Sequence, residues 1–391
     1  MFGDRAQFLY STSWVSLVFF IRPFSNTLEA FYLLACMWWR TESVVLGVLI
    51  GFGCFNRITF PAFCLPVAIY GLLENDSFYR KAMSKKKPLR KLDDIRYIGV
   101  FNMSIVMYRG WNAIRFILMS LAGFFLASLV HITLDALYIN SHPHECHSSH
   151  FQIAGYGFQL TPLNNLLYNS NSDNLSLHGL HPRYTHVVVN MQLLFGGLWM
   201  YALFQRHKHG TMLKSIILSG LLLLSIAPHQ EARFMIPLLF PIIGLTPTLQ
   251  WPDPVKFLWI GVNLILIVFF GIVHQGGIIP ILWWLNHQTF SKTCIASVDT
   301  YMVPRFQLMD HFPVLLNLGG ANLTMVASAI SMHNDICEEW LLMLPTASPL
   351  IQTGILNASS RLMYYWPHFS GERMPKSLAE LSIELHRYNS N

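Results

Sequence analysis

Two charges and a histidine crowd into His229-Gln230-Glu231-Ala232-Arg233-Phe234, flanked by the apolar runs Met212–Ala227 and Met235–Leu249. Such groups are costly in membrane hydrocarbon, so a short hairpin carrying them between two apolar segments places them at one bilayer surface. There Glu231 can take a proton or hold a hydroxyl. Arg233 offers a planar fork that fits a phosphate, with His229 beside it. The plainer alternative is a solvated turn in which Glu231 and Arg233 simply pair.

Two more polar groups accompany this hairpin. Asp135 lies near the end of the apolar run Ile114–Ile139, with Tyr138 after it. An acid in the last turn of a membrane helix either serves a function or snorkels to the interface. The segment Thr161–Asn169 supplies Asn164 and Asn165, and His178–His186 supplies His178, His181, Arg183 and His186. Amides, imidazoles and a guanidinium of this kind suit sugar hydroxyls and phosphate. His142, His144, His147 and His150 with Cys146 raise a rival zinc reading. Their spacing matches no standard site, so no metal is expected. No Ser-elbow, P-loop, HExxH or dinucleotide fingerprint occurs.

The elements that must position these residues are membrane helices. The chain has 391 residues, 53% hydrophobic and 12% charged, with a mean hydropathy of +0.40. A soluble domain carries about 25% charge, and apolar windows of about 20 residues recur here. The expected class is therefore an all-α polytopic membrane protein of roughly eight to nine helices. A transmembrane barrel would need alternating strands, which are absent. The net charge of +6 comes largely from Arg80–Arg96 and matches no nucleic-acid motif.

By the positive-inside rule Arg80–Arg96 and Arg206–His209 face the cytosol, which puts Asn140–Thr185, His229–Phe234 and the tail from about Asn286 on the lumenal side. The sequons at Asn174, Asn322 and Asn357 all fall on that side. Val44–Leu73 reads equally as one broken helix or two short ones. Of the six cysteines, Cys36, Cys54 and Cys64 lie in apolar segments, while Cys146, Cys294 and Cys337 offer at most one disulfide. From residues alone, a transfer enzyme for lipid-borne phosphates, a transporter and a membrane scaffold all stay open.

The order of segments narrows this. HQEARF followed by the Pro-containing run Met235–Pro241 resembles the H-[KQ]-E-x-R-F signature of glycosyltransferase family 22. Those are multispanning endoplasmic reticulum mannosyltransferases that use dolichyl-phosphate mannose. RPFSNTLE (Arg22–Glu29), GFGCFNRITF (Gly51–Phe60), TPLNNLLYN (Thr161–Asn169), HGLHPRYTH (His178–His186) and HQGG (His274–Gly277) resemble one branch of it. That branch adds a fourth, α-1,2-linked mannose to the third mannose of a GPI precursor.

The resemblance implies a GT-C-type multi-helix transmembrane domain over 1–285 and a lumenal, loop-rich C-terminal portion over 286–391. Dolichyl-phosphate mannose is then the donor substrate and no cofactor is expected. The partners are that donor, the GPI precursor lipid and the endoplasmic reticulum membrane, not nucleic acid. Asp135, which resembles an Asp-x-x-Tyr position at a lumenal helix end, is the expected proton acceptor, with Glu231 second. His229 and Arg233, with Arg183, would stabilise the departing phosphate. His178, His181, His186, Asn164 and Asn165 would bind substrate.

Family members also carry a first lumenal loop with an acidic His-Pro-Asp-Glu-type motif. No such motif precedes Arg22 here, and the His-Pro of HGLHPRYTH is followed by no acid. The expectation is thus a chain without that loop. Its alternatives are a neighbouring activity of the family, on the third GPI mannose or an N-glycan precursor, or a non-catalytic membrane protein.

Overall fold

A computed structural model describes residues 4–22, 24–75, 103–141, 152–153, 158–171, 180–205, 210–246, 251–300, 303–304, 307–308, 312–351 and 359–389. The chain divides into two units, Met1–Trp251 and Pro252–Asn391. The charged loops Arg80–Arg96 and Arg206–His209, His178, the cluster from His142 to His150, and the sequons at Asn174 and Asn357 lie outside the described residues.

The first unit is helical: α1 (Asp4–Thr12), α2 (Trp14–Phe19), α3 (Ser25–Trp38), α4 (Ser43–Asn56), α5 (Pro61–Asn75), α6 (Met103–Ser141), α7 (Thr161–Ser170), α8 (Met191–Phe195), α9 (Leu198–Phe204), α10 (Thr211–Leu224) and α11 (Leu239–Gly244). A two-residue-per-strand hairpin, β1 (Gln152–Ile153) and β2 (Phe158–Gln159), lies between α6 and α7. Val44–Leu73 resolves into two helices, α4 and α5, separated by the turn at residues 57–60.

Helix α4 packs on α6 through small residues. A Cβ at Gly47 would overlap the Ser120 carbonyl, and one at Gly123 would overlap that of Val44. Gly47-Val48-Leu49-Ile50-Gly51 is thus a GxxxG stripe that lets two backbones touch, the packing device of helices in lipid.

The expected span count is corrected. Among the described residues two helices can cross a membrane by length and composition, Gly110–Tyr138 with 29 residues and Asp253–Val273 with 21. A third exists if His186–Phe195 and Leu198–Phe204, bent by 109°, form one broken span. The break falls at Gly196, whose φ of 55° no continuous helix adopts. Helix α10 has 14 residues and rises ~21 Å, short of a ~30 Å hydrocarbon core. The run Met235–Leu249 opens as a 3-10 turn, Ala232–Leu238, with Pro237 inside it. Bends and short helices of this kind occur in membranes where neighbouring protein covers them.

The all-α expectation is corrected too. The second unit starts with α12 (Asp253–Val268), continued by a π turn to Val273, and α13 (Ile278–Asn286). Five strands follow: β3 (Thr293–Ser297), β4 (Leu315–Asn317), β5 (Glu339–Pro345), β6 (Ser360–Tyr365) and β7 (Ile383–Asn389). Helix α14 (Leu323–Ser331) lies between β4 and β5. The sheet order is β4-β3-β5-β7-β6, parallel across β4, β3 and β5 and antiparallel across β5, β7 and β6.

Alternate residues of the strands feed two cores. Ile295, Leu341, Met343, Ile383 and Leu385 pack with Ile278, Ile281, Leu282 and Leu285 of α13. Cys294, Ala296, Trp340, Leu342 and Leu344 pack with Val326 and Ile330 of α14. The expected loop-rich tail is therefore a three-layer α/β arrangement. A disulfide joins Cys294 of β3 to Cys337, across 5.7 Å between Cα atoms.

A buried polar knot holds the ends of this sheet. Asp299, fully buried and at φ 54°, accepts from Ser348 Oγ at 2.6 Å and pairs with Arg373 Nε at 2.9 Å. Its carbonyl accepts from Ser370 Oγ at 2.7 Å. In the HQGG segment, the Gln275 amide oxygen accepts from Thr300 Oγ1 at 2.6 Å, and the Gly277 N–H donates to His368 Nδ1 at 3.2 Å.

Candidate active site

The hairpin His229–Phe234 and the segment His181–Asn190 are clasped together by Gln230. Its side chain is inside the unit, with the residue 2% exposed. Oε1 accepts from the His186 backbone N–H at 2.9 Å. Nε2 donates to the carbonyls of Arg183, Ser225 and Ala227 at 3.2, 3.1 and 3.2 Å. The backbone joins in, since His181 N–H donates to Pro228 O at 2.8 Å and Gln230 N–H donates to His181 Nδ1 at 3.3 Å. Arg183 donates from Nη1 to the Ile226 carbonyl.

His186 is fully buried. Asn190 Nδ2 donates to its Nδ1 at 2.9 Å, which leaves the ring hydrogen on Nε2. That Nε2 is buried without a hydrogen-bond partner, a donor held in reserve beside Phe234, whose ring centroid is 6.4 Å away.

Outside the clasp sits the charged triplet. His229 Nε2 donates to Glu231 Oε1 at 2.7 Å, and Arg233 Nη2 donates to the same oxygen at 2.9 Å while its Nε pairs with Oε2. The pairing of Glu231 with Arg233 that a plain turn would show is therefore present, and His229 is added to it. Burial alone would push the Glu231 carboxyl up. The His229 hydrogen bond and the Arg233 charge outweigh it and hold it at about 2. Glu231 is thus ionised and orients its two neighbours, while the Arg233 side chain stays 43% exposed. A guanidinium fixed by a carboxylate on one edge keeps Nη1 for an anion.

Asp135 belongs to a second cluster. Near the end of α6, its Oδ2 accepts from Thr161 Oγ1, the first residue of α7. Asn164 and Asn165 follow on the same helix. Asn164 Oδ1 is buried without a partner, and the Asn165 carbonyl accepts from Asn169 Nδ2 at 2.8 Å.

The end of α4 links both clusters. Phe55 stacks on His131 at 5.0 Å and Phe52 meets it edge-on at 4.8 Å. His131 stands one helical turn before Asp135. Two residues past Phe55, the Arg57 guanidinium lies 5.1 Å from the Phe234 ring centroid, a cation–π contact. Arg57 is itself anchored: Nε is 3.2 Å from Glu29 Oε2, and Nη1 donates to Ser25 Oγ at 2.9 Å. Glu29, fully buried in α3, also accepts from Thr59 Oγ1 at 2.8 Å.

RPFSNTLE and GFGCFNRITF are thus halves of one buried ion-pair site that packs under the hairpin. Sequence reasoning passed over Gln230, Asn190, Glu29 and Arg57. For the last two a signal existed, because an acid and a base in otherwise apolar membrane segments demand partners. Among the described residues no group of three or more His, Cys, Asp or Glu is placed to hold a metal ion.

Comparison with known proteins identifies the family of the chain. The sequence profile of the Alg9-like mannosyltransferase family matches residues 3–303. GPI mannosyltransferase 4 of Saccharomyces cerevisiae is 32% identical over 355 residues, covering 84% of this chain and 60% of that protein. GPI mannosyltransferase 4 of Debaryomyces hansenii is 30% identical, covering 80% of this chain and 59% of that protein. Human GPI alpha-1,2-mannosyltransferase 4 is 30% identical, covering 81% and 57% respectively. The chain therefore spans less than two thirds of the length of these curated relatives. No solved structure matches it. With a family profile running through both clusters and the α4 link between them, this chain belongs to the Alg9-like mannosyltransferase family.

Proposed function

We propose that this chain is an α-1,2-mannosyltransferase of GPI-anchor assembly, adding a fourth mannose to the third mannose of the GPI precursor. The donor is dolichyl-phosphate mannose, the fold is of GT-C type, and the active face is lumenal in the endoplasmic reticulum membrane. Residues 1–285 carry the transfer, and 286–391 form the lumenal portion. The observation that carries this reading is the clasp of HQEARF to HPRYTH, which leaves Arg233 braced and half in solvent. The names of the relatives, GPI mannosyltransferase 4 and GPI alpha-1,2-mannosyltransferase 4, support a GPI precursor as the acceptor.

The reaction follows from the groups present. The acceptor 2-hydroxyl attacks C1 of the β-linked mannose from the face opposite the phosphate. The new C1–O bond forms as the C1–O bond to phosphate breaks, inverting the anomeric centre. The hydroxyl proton passes to a carboxylate, and dolichyl phosphate leaves with the bonding pair. The donor carries its own leaving group, so no cofactor enters the balance.

Asp135 is the better acceptor of that proton, since Glu231 at about 2 is a weak base. Arg233 and His229, with Arg183, stabilise the charge that develops on phosphate. His178, His181, His186, Asn164 and Asn165 hold sugar and phosphate oxygens. His186 has a reserved Nε2 donor and Asn164 a reserved Oδ1 acceptor for this.

The test is mannose transfer from dolichyl-phosphate mannose to a three-mannose GPI acceptor, in membranes lacking the endogenous enzyme. Incorporation of one α-1,2-linked mannose supports the reading. Transfer only to a two-mannose GPI acceptor or to an N-glycan precursor replaces it with a neighbouring family activity. No transfer to any of them makes the chain non-catalytic.

A further inference from the structure

One feature of the second unit serves no part of the transfer reaction. Asn322-Leu323-Thr324 is a glycosylation sequon and the only one wholly within the described residues. It opens α14, and both Asn322 and Thr324 are exposed. We propose that Asn322 carries an N-linked glycan.

Four observations point the same way. The amide is used as a helix cap through its oxygen alone: Oδ1 accepts from Met325 N–H at 3.0 Å and from Thr324 Oγ1 at 2.7 Å. The atom that a glycan occupies is Nδ2, so modification leaves the cap bond standing. The approach is open, because a Cβ at Gly319 would meet nothing within 4 Å and one at Gly320 only Glu372 Oε2 at 3.9 Å.

The unit also contains the Cys294–Cys337 disulfide, which belongs to an oxidising compartment, the one where N-glycans are added. Finally, the exposed face of α14 and the turn after it carries Met325, Met332 and Ile336, at 59%, 73% and 51% exposure. A glycan at the helix start would lie on the solvent side of these apolar side chains and limit their contact with other chains.

The chemistry is a group transfer to the chain from a lipid-pyrophosphate-linked oligosaccharide. Nδ2 of Asn322 bonds to C1 of the first sugar while the C1–O bond to pyrophosphate breaks. The lipid pyrophosphate leaves with that electron pair, and one Nδ2 proton goes to a base of the transferring enzyme. This inference shares with the proposed function only the lumenal placement of the second unit and does not depend on mannose transfer.

The test uses the full chain in glycosylation-competent cells, with Asn75, Asn102, Asn174 and Asn357 changed to Gln so that Asn322 is the remaining sequon. The expected result is one endoglycosidase-sensitive mobility step that disappears in both Asn322→Gln and Thr324→Ala. Thr324→Ser retains it. Thr324→Ala keeps the Asn322–Met325 cap, so loss of the step there is not a folding defect. Membrane-integrated protein with no sensitive band overturns the proposal, as does a band that persists in Thr324→Ala.

Discussion

Each unit ties a turn to neighbouring segments with one buried polar side chain, Gln230 in the first and Asp299 in the second. Around Asp299, Ser348 and Arg373 engage both carboxylate oxygens, and Ser370 takes the carbonyl. Around Gln230 the side chain is equally satisfied, but its surroundings are not. Beside it the His186 Nε2 donor is buried without a partner, and Arg233 stays 43% exposed. Unpaired buried groups cost about 1–3 kcal/mol each, so a fold keeps them where something else repays the cost. His368 Nε2 in the second unit is likewise buried without a partner, so what sets the Gln230 clasp apart is the His229–Glu231–Arg233 triplet carried on its hairpin.

The sharpest way to break this contrast is Asp135→Asn. If Asp135 takes the acceptor's proton, transfer falls by about 10²–10⁴-fold while the protein still inserts and resists protease as before. Wild-type turnover in that variant would sink the assignment. Arg233→Ala comes next, with a drop in kcat of about 10²–10³-fold from lost charge stabilisation. Arg233→Lys recovers part of it, because a point charge replaces the fork imperfectly.

The two knots can then be compared directly. Gln230→Leu strands the His186 N–H and is expected to cost about 1–3 kcal/mol of stability, together with most of the activity. Asp299→Ala is expected to cost the second unit about 1–3 kcal/mol, because the buried Ser348 hydroxyl and the part-exposed Arg373 lose their common partner. Its turnover per folded molecule stays unchanged. Protease resistance alongside specific activity separates the two, and a selective activity loss in Asp299→Ala would erase the distinction.

The smallest effect is on pH. Burial, with the His274 charge added, pushes the His368 imidazole down to about 4 from an ordinary 6.5. Its contribution to stability is complete above pH 6.5 and is lost as pH falls toward about 4. Glu231, held at about 2 against an ordinary 4.5, keeps its contribution until pH drops below about 4.5. Hydrogen exchange on acidification should therefore loosen the second unit around His368 first and the hairpin only later. The reverse order would contradict the pairing at Glu231.

Much of this was visible in the residues. The apolar run Ile114–Ile139 lies almost entirely within the 29-residue candidate span Gly110–Tyr138, because length and apolarity suffice to identify such a helix. The hairpin with His229, Glu231 and Arg233 was evident because charge between apolar runs has few places to go. Gln230 was not, since a neutral amide is unremarkable until its partners from Arg183, Ser225 and His186 are known. The break at Gly196 is not legible in the residues, because one glycine in an apolar run reads as helix until its φ is known. Strands β3 and β5 are short runs buried on both faces, which no periodicity distinguishes from buried helix.

What the sequence determined by itself is the membrane character, the presence of an acid, a base and an imidazole at defined points, and the family they belong to. Those are properties of composition and of local order. Which groups meet was decided only by tertiary structure: Glu29 with Arg57, Arg57 with Phe234, Asp135 with Thr161, Gln230 with the HPRYTH segment. Each contact joins residues far apart in the chain. Each exists because a polar group excluded from water must find its partner wherever the packing of apolar surfaces has left one.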